Sequence, residues 1–345
     1  MPGSFRVGVT ADFFNADGEL GLGDIGLSLL SDAGIDPEPL AETDELTAEQ
    51  ISGYDALLVL TPRVGAATVE RAERLAIVAR FGVGYDKVDL DACTRNGVAV
   101  TTAPDGLRRP MATSALALLL ALAHRIPEKD RLTRAGGWRE KVDYMGTGLV
   151  GRTLGIVGLG NIGSEFCALA GPFGLRRVAF DPHVEADTAA AAGAELVELE
   201  SLLAESDFIV ITAALTESSR GLIDAGAIAA MKPTAYLINI ARGPIVDQRA
   251  LTEALRSRRI AGAAIDVFEQ EPVDPSDPLL ALDNVIVTPH GICFTDEFAL
   301  GTGRSAIGGI LEVAAGRAPA HVVNAEVLER PELWAKLERM AGLAA

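Results

Sequence analysis

The stretch Thr153-Leu154-Gly155-Ile156-Val157-Gly158-Leu159-Gly160-Asn161-Ile162-Gly163, with its continuation to Arg177-Val178-Ala179-Phe180-Asp181, decides the fold. Leu154, Ile156 and Val157 read as a buried strand delivering the chain into a glycine-rich turn. A helical segment over 164–170 follows, with Phe166 and Leu169 on its apolar side, and a second apolar strand over 178–180 stops at Asp181. Strand, GxGxxG, helix, strand and acid in that order form the dinucleotide-binding βαβ signature. Gly158 allows the tight turn, Gly160 admits a diphosphate to the backbone, and Gly163 lets helix and strand pack closely. Asn161 and Ile162 belong to the same cofactor loop, and the helix N-terminus places its partial positive charge on the phosphates. Asp181, eighteen residues past Gly163, stands where a carboxylate accepts hydrogen bonds from both ribose hydroxyls.

The totals set the frame. A chain of 345 residues corresponds to about two domains of roughly 150 residues. Hydrophobic residues at 49% and charged ones at 23% are ordinary for globular cores. A net charge of −18 argues against nucleic acid or an anionic membrane as partner. The N-terminal residues Met-Pro-Gly-Ser-Phe-Arg-Val contain no apolar run of the secretory kind. The most apolar helical candidate, 115–123, has about half the length that spans a bilayer. Cys93, Cys167 and Cys293, odd in number and widely spaced, fit neither a disulfide framework nor a zinc site. A cytoplasmic location and no bound metal are the expectations.

Short apolar runs alternate with helical segments along the whole chain, which predicts parallel sheets covered on both faces. Strands are expected at 5–9, 56–60, 76–78 and 98–101 before the glycine motif, and at 208–212, 235–240, 260–267 and 285–287 after it. The segment 102–110, with Pro104, Gly106, Arg108, Arg109 and Pro110, reads as a crossing between domains, and a helix is expected over 111–124. After the strand at 76–78, Gly82-Val83-Gly84 exposes consecutive backbone N–H groups that can hold a carboxylate, although a plain tight turn fits the segment equally. Three later strands end in Arg242, in Glu269 and Glu271, and in His290. In a doubly wound sheet all of these face the crevice at the carboxyl ends of the strands, beside the glycine loop. A nicotinamide cofactor next to Arg, a carboxylate and His points to hydride transfer to or from a carbonyl carbon. His290 would move the proton, Glu271 would favour its imidazolium, and Arg242 would hold a substrate carboxylate as a fork.

These residues also resemble the D-isomer-specific 2-hydroxyacid dehydrogenases over nearly the whole chain. The resemblance rests on Gly82-Val83-Gly84-Tyr85-Asp86, residues 154–163, Asn239-Ile240-Ala241-Arg242-Gly243, Asp266-Val267-Phe268-Glu269-Gln270-Glu271-Pro272 and Thr288-Pro289-His290. It implies an α/β fold of two doubly wound parallel-sheet domains, a Rossmann cofactor domain (104–299) inserted in a flavodoxin-like substrate domain (1–103 and 300–345). It implies NAD as cofactor, a 2-oxoacid or 2-hydroxyacid as substrate, and a homodimer formed through the cofactor domain. Arg242, Glu271 and His290 become the catalytic three, with Glu271 preferred to Glu269 because it immediately precedes the proline. Thr216, Ile240, Ala241 and Asp266 join the glycine loop as cofactor residues, and Val83, Gly84 and Cys293 are substrate-binding candidates. Arg108 and Arg109 depart from the family's less basic pattern: either at least one binds a second polar or anionic group of the substrate, or both are solvated or pair with surface acids. Thr113 stands where the family usually has an acid, and Gly291-Ile292-Cys293-Phe294 replaces its usual small residues after the histidine. Both departures bear on the substrate. The same fold serves dehydrogenase-like corepressors that sense NAD and bind peptides, which are the alternative function.

Overall fold

Short apolar runs buried on both faces are the mark of parallel-sheet strands covered by helices. In the computed structural model, which describes residues 4–344, they form two such sheets. Residues up to Leu107 together with those from Phe294 onward make one compact unit, and Arg108–Cys293 make the other.

The first unit holds β1 (Val7–Val9), β2 (Pro37–Pro39), β3 (Ala56–Val59), β4 (Ile77–Arg80) and β5 (Ala99–Thr101). They lie in the order β2-β1-β3-β4-β5 with every pair parallel, the flavodoxin-like arrangement. The second unit holds β6 (Thr153–Val157), β7 (Arg176–Phe180), β8 (Glu195–Leu196), β9 (Phe208–Ile211), β10 (Tyr236–Asn239), β11 (Gly262–Ile265) and β12 (Val285–Val287). Its order, β12-β11-β10-β9-β6-β7-β8, again wholly parallel, is the Rossmann order with one further strand. The two doubly wound sheets expected from the strand pattern are therefore present. Two edge strands escape sequence reading. β2 is Pro-Glu-Pro, a sequence tolerated only at a sheet edge, and β8 is two residues long.

Among the described residues, the longest helices are α1 (Pro104–His124), α2 (Asn161–Ala170), α3 (Asp296–Ala314) and α4 (Pro331–Ala344). α1 corrects the expectation of a helix over 111–124 after an irregular crossing, for it begins seven residues earlier. Pro104 starts it, where a missing N–H costs nothing, and Pro110 is carried inside it. The hydroxyls of Thr113 and Ser114 donate to the Pro110 carbonyl at 2.9 and 2.8 Å, and Thr113 also donates to the Arg109 carbonyl.

Each sheet is closed at its amino edge by a buried aspartate placed just before a central strand. Asp55, before β3, accepts the Arg6 N–H and the guanidinium groups of Arg74 and Arg339. Asp207, before β9, accepts the Thr153 N–H at 2.9 Å and pairs with Arg152 and Lys232. The aspartates are buried while their cations are a third to a half exposed, so an aspartate that loses one cation keeps a second and a backbone N–H. Arg339 lies on α4, so Asp55 also ties that helix to the sheet.

A second tie comes from Lys336, also on α4 and 7% exposed. Its ammonium donates to the carbonyls of Ala72, Leu75, Asn96 and Gly97 at 2.9, 2.7, 2.6 and 3.3 Å. Lys336→Met keeps the apolar stem but leaves those carbonyls without a donor. Unmatched buried acceptors cost roughly 1–3 kcal/mol, so the midpoint of thermal unfolding should fall by several degrees. An unchanged midpoint would show that the stem alone holds α4.

Candidate active site

β6 is buried throughout and runs into Gly158, whose φ of +94° turns the chain toward α2. A Cβ on Gly158 would stand 2.5 Å from the Ala213 backbone, and one on Gly163 would stand 2.2 Å from the Gly158 carbonyl, so both turns admit only glycine. At Gly160 the situation reverses. Nothing in the described chain lies within 4 Å of a Cβ there, leaving one side of the loop open at the start of α2. The free N–H groups of the first turn of α2 begin at this opening.

Asp181 follows β7, and its carboxylate clamps the same loop. One oxygen accepts the Leu159 N–H at 2.8 Å and the other the His183 N–H at 2.9 Å. Each carboxylate oxygen can accept a second bond. A glycine cradle open at Gly160, a helix N-terminus and a half-buried carboxylate at the end of the second strand fit a dinucleotide's diphosphate and ribose.

The titratable cluster sits at the carboxyl ends of β10, β11 and β12. After β10, the Asn239 amide accepts the Ala241 N–H and donates to the Arg242 carbonyl, both at 3.0 Å, setting the turn that presents Arg242. A Cβ on the next residue, Gly243, would stand 1.9 Å from the Phe268 carbonyl, so the Arg242 turn lies directly on the segment leaving β11. In that segment Glu271 Oε1 accepts the Phe268 N–H at 3.1 Å, and Oε2 lies 2.7 Å from His290 Nδ1. Burial opposes the ionised form of Glu271. The bond and charge of His290, the Phe268 N–H and the Arg242 guanidinium outweigh it and hold the carboxyl below the ordinary carboxylate range. Glu269 turns elsewhere, exchanging hydrogen bonds with the backbone and side chain of Gln248.

His290 follows β12 with a left-handed φ of +50°, which needs outside support in a residue with a Cβ. Asp266 provides it. Its carbonyl accepts the His290 N–H at 2.8 Å, and Oδ1 of its buried carboxylate accepts the Thr288 hydroxyl and the N–H groups of Gly291 and Ile292 at 2.6, 3.0 and 3.2 Å. The family resemblance implies a cofactor role for Asp266. Its role in fixing the turn, like those of Asn239 and Gly243, depends on long-range partners that no local pattern reveals.

The remaining candidates have varied surroundings. Ile240 is buried, Ala241 is half-buried, and Thr216 is exposed in a turn where its N–H donates to Ser219 Oγ. Cys293 is buried, and burial and the charge of Asp266 push its thiol up to about 12, so at neutral pH it is an uncharged packing group. Arg108 and Arg109 both pair with Glu165 on α2, at 3.6 and 2.6 Å. Val83 and Gly84 belong to the first unit, where the Arg80 guanidinium donates to the Gly84 carbonyl at 3.2 Å. Among the described residues, no group of three or more His, Cys, Asp or Glu side chains could hold a metal ion. No single helix among them is long and apolar enough to cross a membrane.

Comparison with known proteins gives this arrangement its family. Residues 116–291 match the model of the D-isomer specific 2-hydroxyacid dehydrogenase NAD binding domain. The chain is 40% identical to a glyoxylate reductase of Korarchaeum cryptofilum over 285 residues, covering 81% of this chain and 86% of the relative. It is 38% identical to a D-3-phosphoglycerate dehydrogenase of Archaeoglobus fulgidus over 287 residues, which are 83% of this chain and 54% of that longer protein. The crystal structure of the TT0316 protein of Thermus thermophilus superposes with a TM-score of 0.82 at 33% identity, covering 92% of this chain and all of the other. A loop built for a dinucleotide, an acid–base cluster at the ends of the neighbouring strands and these likenesses agree, and the chain belongs to the D-isomer specific 2-hydroxyacid dehydrogenase family as an NAD-dependent oxidoreductase.

Proposed function

We propose that the protein interconverts a 2-oxoacid and its D-2-hydroxyacid with His290 as the proton donor and acceptor, Glu271 as its tuning partner and Arg242 as the substrate's carboxylate ligand. The observation that carries this reading is the 2.7 Å pair between His290 Nδ1 and Glu271 at the carboxyl edge of the sheet that carries the glycine loop. A carboxylate accepts and cannot donate, so Nδ1 carries a proton, and transfer to substrate falls to Nε2. Bound NADH supplies the hydride that reaches the carbonyl carbon during reduction. His290 delivers the accompanying proton to the carbonyl oxygen and regains one from solvent, and oxidation reverses both movements. Arg242 offers a planar fork that matches a carboxylate and draws charge from the adjoining carbonyl. Glyoxylate is the first acid to test, given the names of the relatives.

His290→Ala should leave NADH binding nearly unchanged and lower kcat by roughly 10²–10⁴, the usual worth of a positioned acid or base. Glu271→Gln removes the carboxylate that accepts from His290 Nδ1 and orients the ring, so kcat should fall with NADH binding nearly unchanged. At acid pH the wild-type pair should persist below the ordinary carboxylate range, because the Glu271 carboxyl is held down there. Retention of more than a tenth of turnover in His290→Ala would assign the proton to another group.

Asp181 supports a preference for NAD over NADP. A 2′-phosphate would meet a carboxylate already fixed by the Leu159 and His183 N–H groups, a like-charge contact of about 1–3 kcal/mol. At least a tenfold preference for NAD in kcat/KM is expected, and equal efficiency with both cofactors would refute this role.

A homodimer is supported by the segment from 126 to 150, which exposes Ile126, Trp138, Val142, Met145 and Val150 to solvent. Trp138 is 68% and Met145 77% exposed, more than a single chain gains by leaving in water. Trp138→Glu should shift the protein toward the monomer in sedimentation or light scattering, and a monomeric wild type would remove the proposal. All three cysteines are free and buried, which supports residence in a reducing cytoplasm.

A further inference from the structure

We infer that Arg108 and Arg109 act on the cofactor and not on the substrate, forming with Glu165 a cationic clamp for the dinucleotide's diphosphate. Glu165 stands one turn after Asn161 on α2, at the spacing that puts both side chains on one stripe. Helical side chains lean toward the N-terminus, so the Glu165 carboxylate lies over the first turn of α2, the turn that follows Gly160. Arg109 Nη1 lies 2.6 Å from Glu165 Oε1, and Arg108 Nε lies 3.6 Å from Oε2. The carboxylate therefore holds two guanidinium groups at the end of α2 that already carries partial positive charge.

That placement is unfavourable on its own. Two cations and a helix N-terminus face one carboxylate, although the chain carries 48 acidic residues against 30 Lys and Arg. A dianionic diphosphate would complete the balance. The guanidinium groups also remain reachable: the Arg108 and Arg109 side chains are 58% and 53% exposed while Glu165 is 21% exposed. Each guanidinium has five N–H donors, and the contacts to Glu165 use only a minority.

α1 supplies the register. Its residues 108 and 109 meet α2, while Ser114, five residues further on, donates to the Ile292 carbonyl at 3.1 Å, beside the His290 turn. This part of α1 thus touches α2 through the arginines and the segment after His290 through Ser114.

The test is binding, measured by calorimetry on the purified full chain with ADP-ribose and adenosine, and by fluorescence with NADH. In Arg108→Ala/Arg109→Ala, ADP-ribose and NADH should bind about tenfold more weakly or worse, the scale of charge-assisted contacts discounted for exposure. Adenosine, which has no phosphate, should change less than twofold. Arg108→Lys/Arg109→Lys should recover most of the loss because it keeps the charge. On the wild-type protein, added KCl should weaken ADP-ribose more than adenosine, which tests the clamp even if the double alanine variant fails to fold. ADP-ribose affinity equal to wild type in a folded double variant would overturn the inference. So would equal losses for ADP-ribose and adenosine, or a loss confined to the KM of the 2-oxoacid with NADH binding intact.

Discussion

The candidate site depends on one carboxylate. Asp266, buried at the end of β11, gathers the Thr288 hydroxyl and two backbone N–H groups onto a single oxygen, while its own carbonyl takes the His290 N–H. Those four bonds hold a histidine in a left-handed conformation that its side chain disfavours. Without them the turn after β12 would relax, and the 2.7 Å approach of His290 to Glu271 would have no fixed origin. Burial makes the arrangement stiff in both directions: an ionised Asp266 stripped of its donors would be strongly destabilised, so the donors and the carboxylate hold each other in place.

Parallel pairing explains why so much chemistry gathers at one edge. Every strand of the second sheet runs the same way, so the turn after each carboxyl end opens on the same side. The glycine loop after β6, Asp181 after β7, Arg242 after β10, Asp266 and Glu271 after β11 and His290 after β12 are consequences of that one direction. The opposite edge has a different task. There Asp207 in this unit, and Asp55 in the other, satisfy a strand N–H and neutralise cations, which closes the sheets without adding chemistry. The carboxyl edge thus carries the candidate site, and the amino edge carries the buried aspartates and their cations.

Electrostatics around α2 follow the same economy. A helix N-terminus attracts an anion, and the chain brings the Asp181 carboxylate close to the loop that precedes it and Glu165 close to its first turn. Asp181 keeps its oxygens on backbone N–H groups, and Glu165 keeps its own on two arginines. Neither carboxylate is left bare beside the start of α2.

Sequence alone determined the elements whose causes are local. Glycines at fixed offsets, a following helix and an acid at the end of the next strand identify the dinucleotide loop, because each residue type answers a steric or hydrogen-bonding need within thirty residues. The alternation of apolar strands and helices was enough for two parallel sheets, and Arg242, Glu271 and His290 were legible as titratable residues at strand ends. Only the tertiary structure decided matters that depend on partners far along the chain. α1 begins at Pro104, which needs no N–H partner in the first turn, and runs through Pro110, where a proline in the sequence reads as a break. Lys336 is a structural pin because carbonyls from residues 72, 75, 96 and 97 converge on it. Arg108 and Arg109 look in sequence like cations free to meet a substrate, and in the fold they face Glu165. Asp266 looks like a cofactor ligand and is also the anchor of the His290 turn. A charged side chain's partner is set by which elements pack together, and that information lies in contacts between distant residues, not in the order of neighbouring ones.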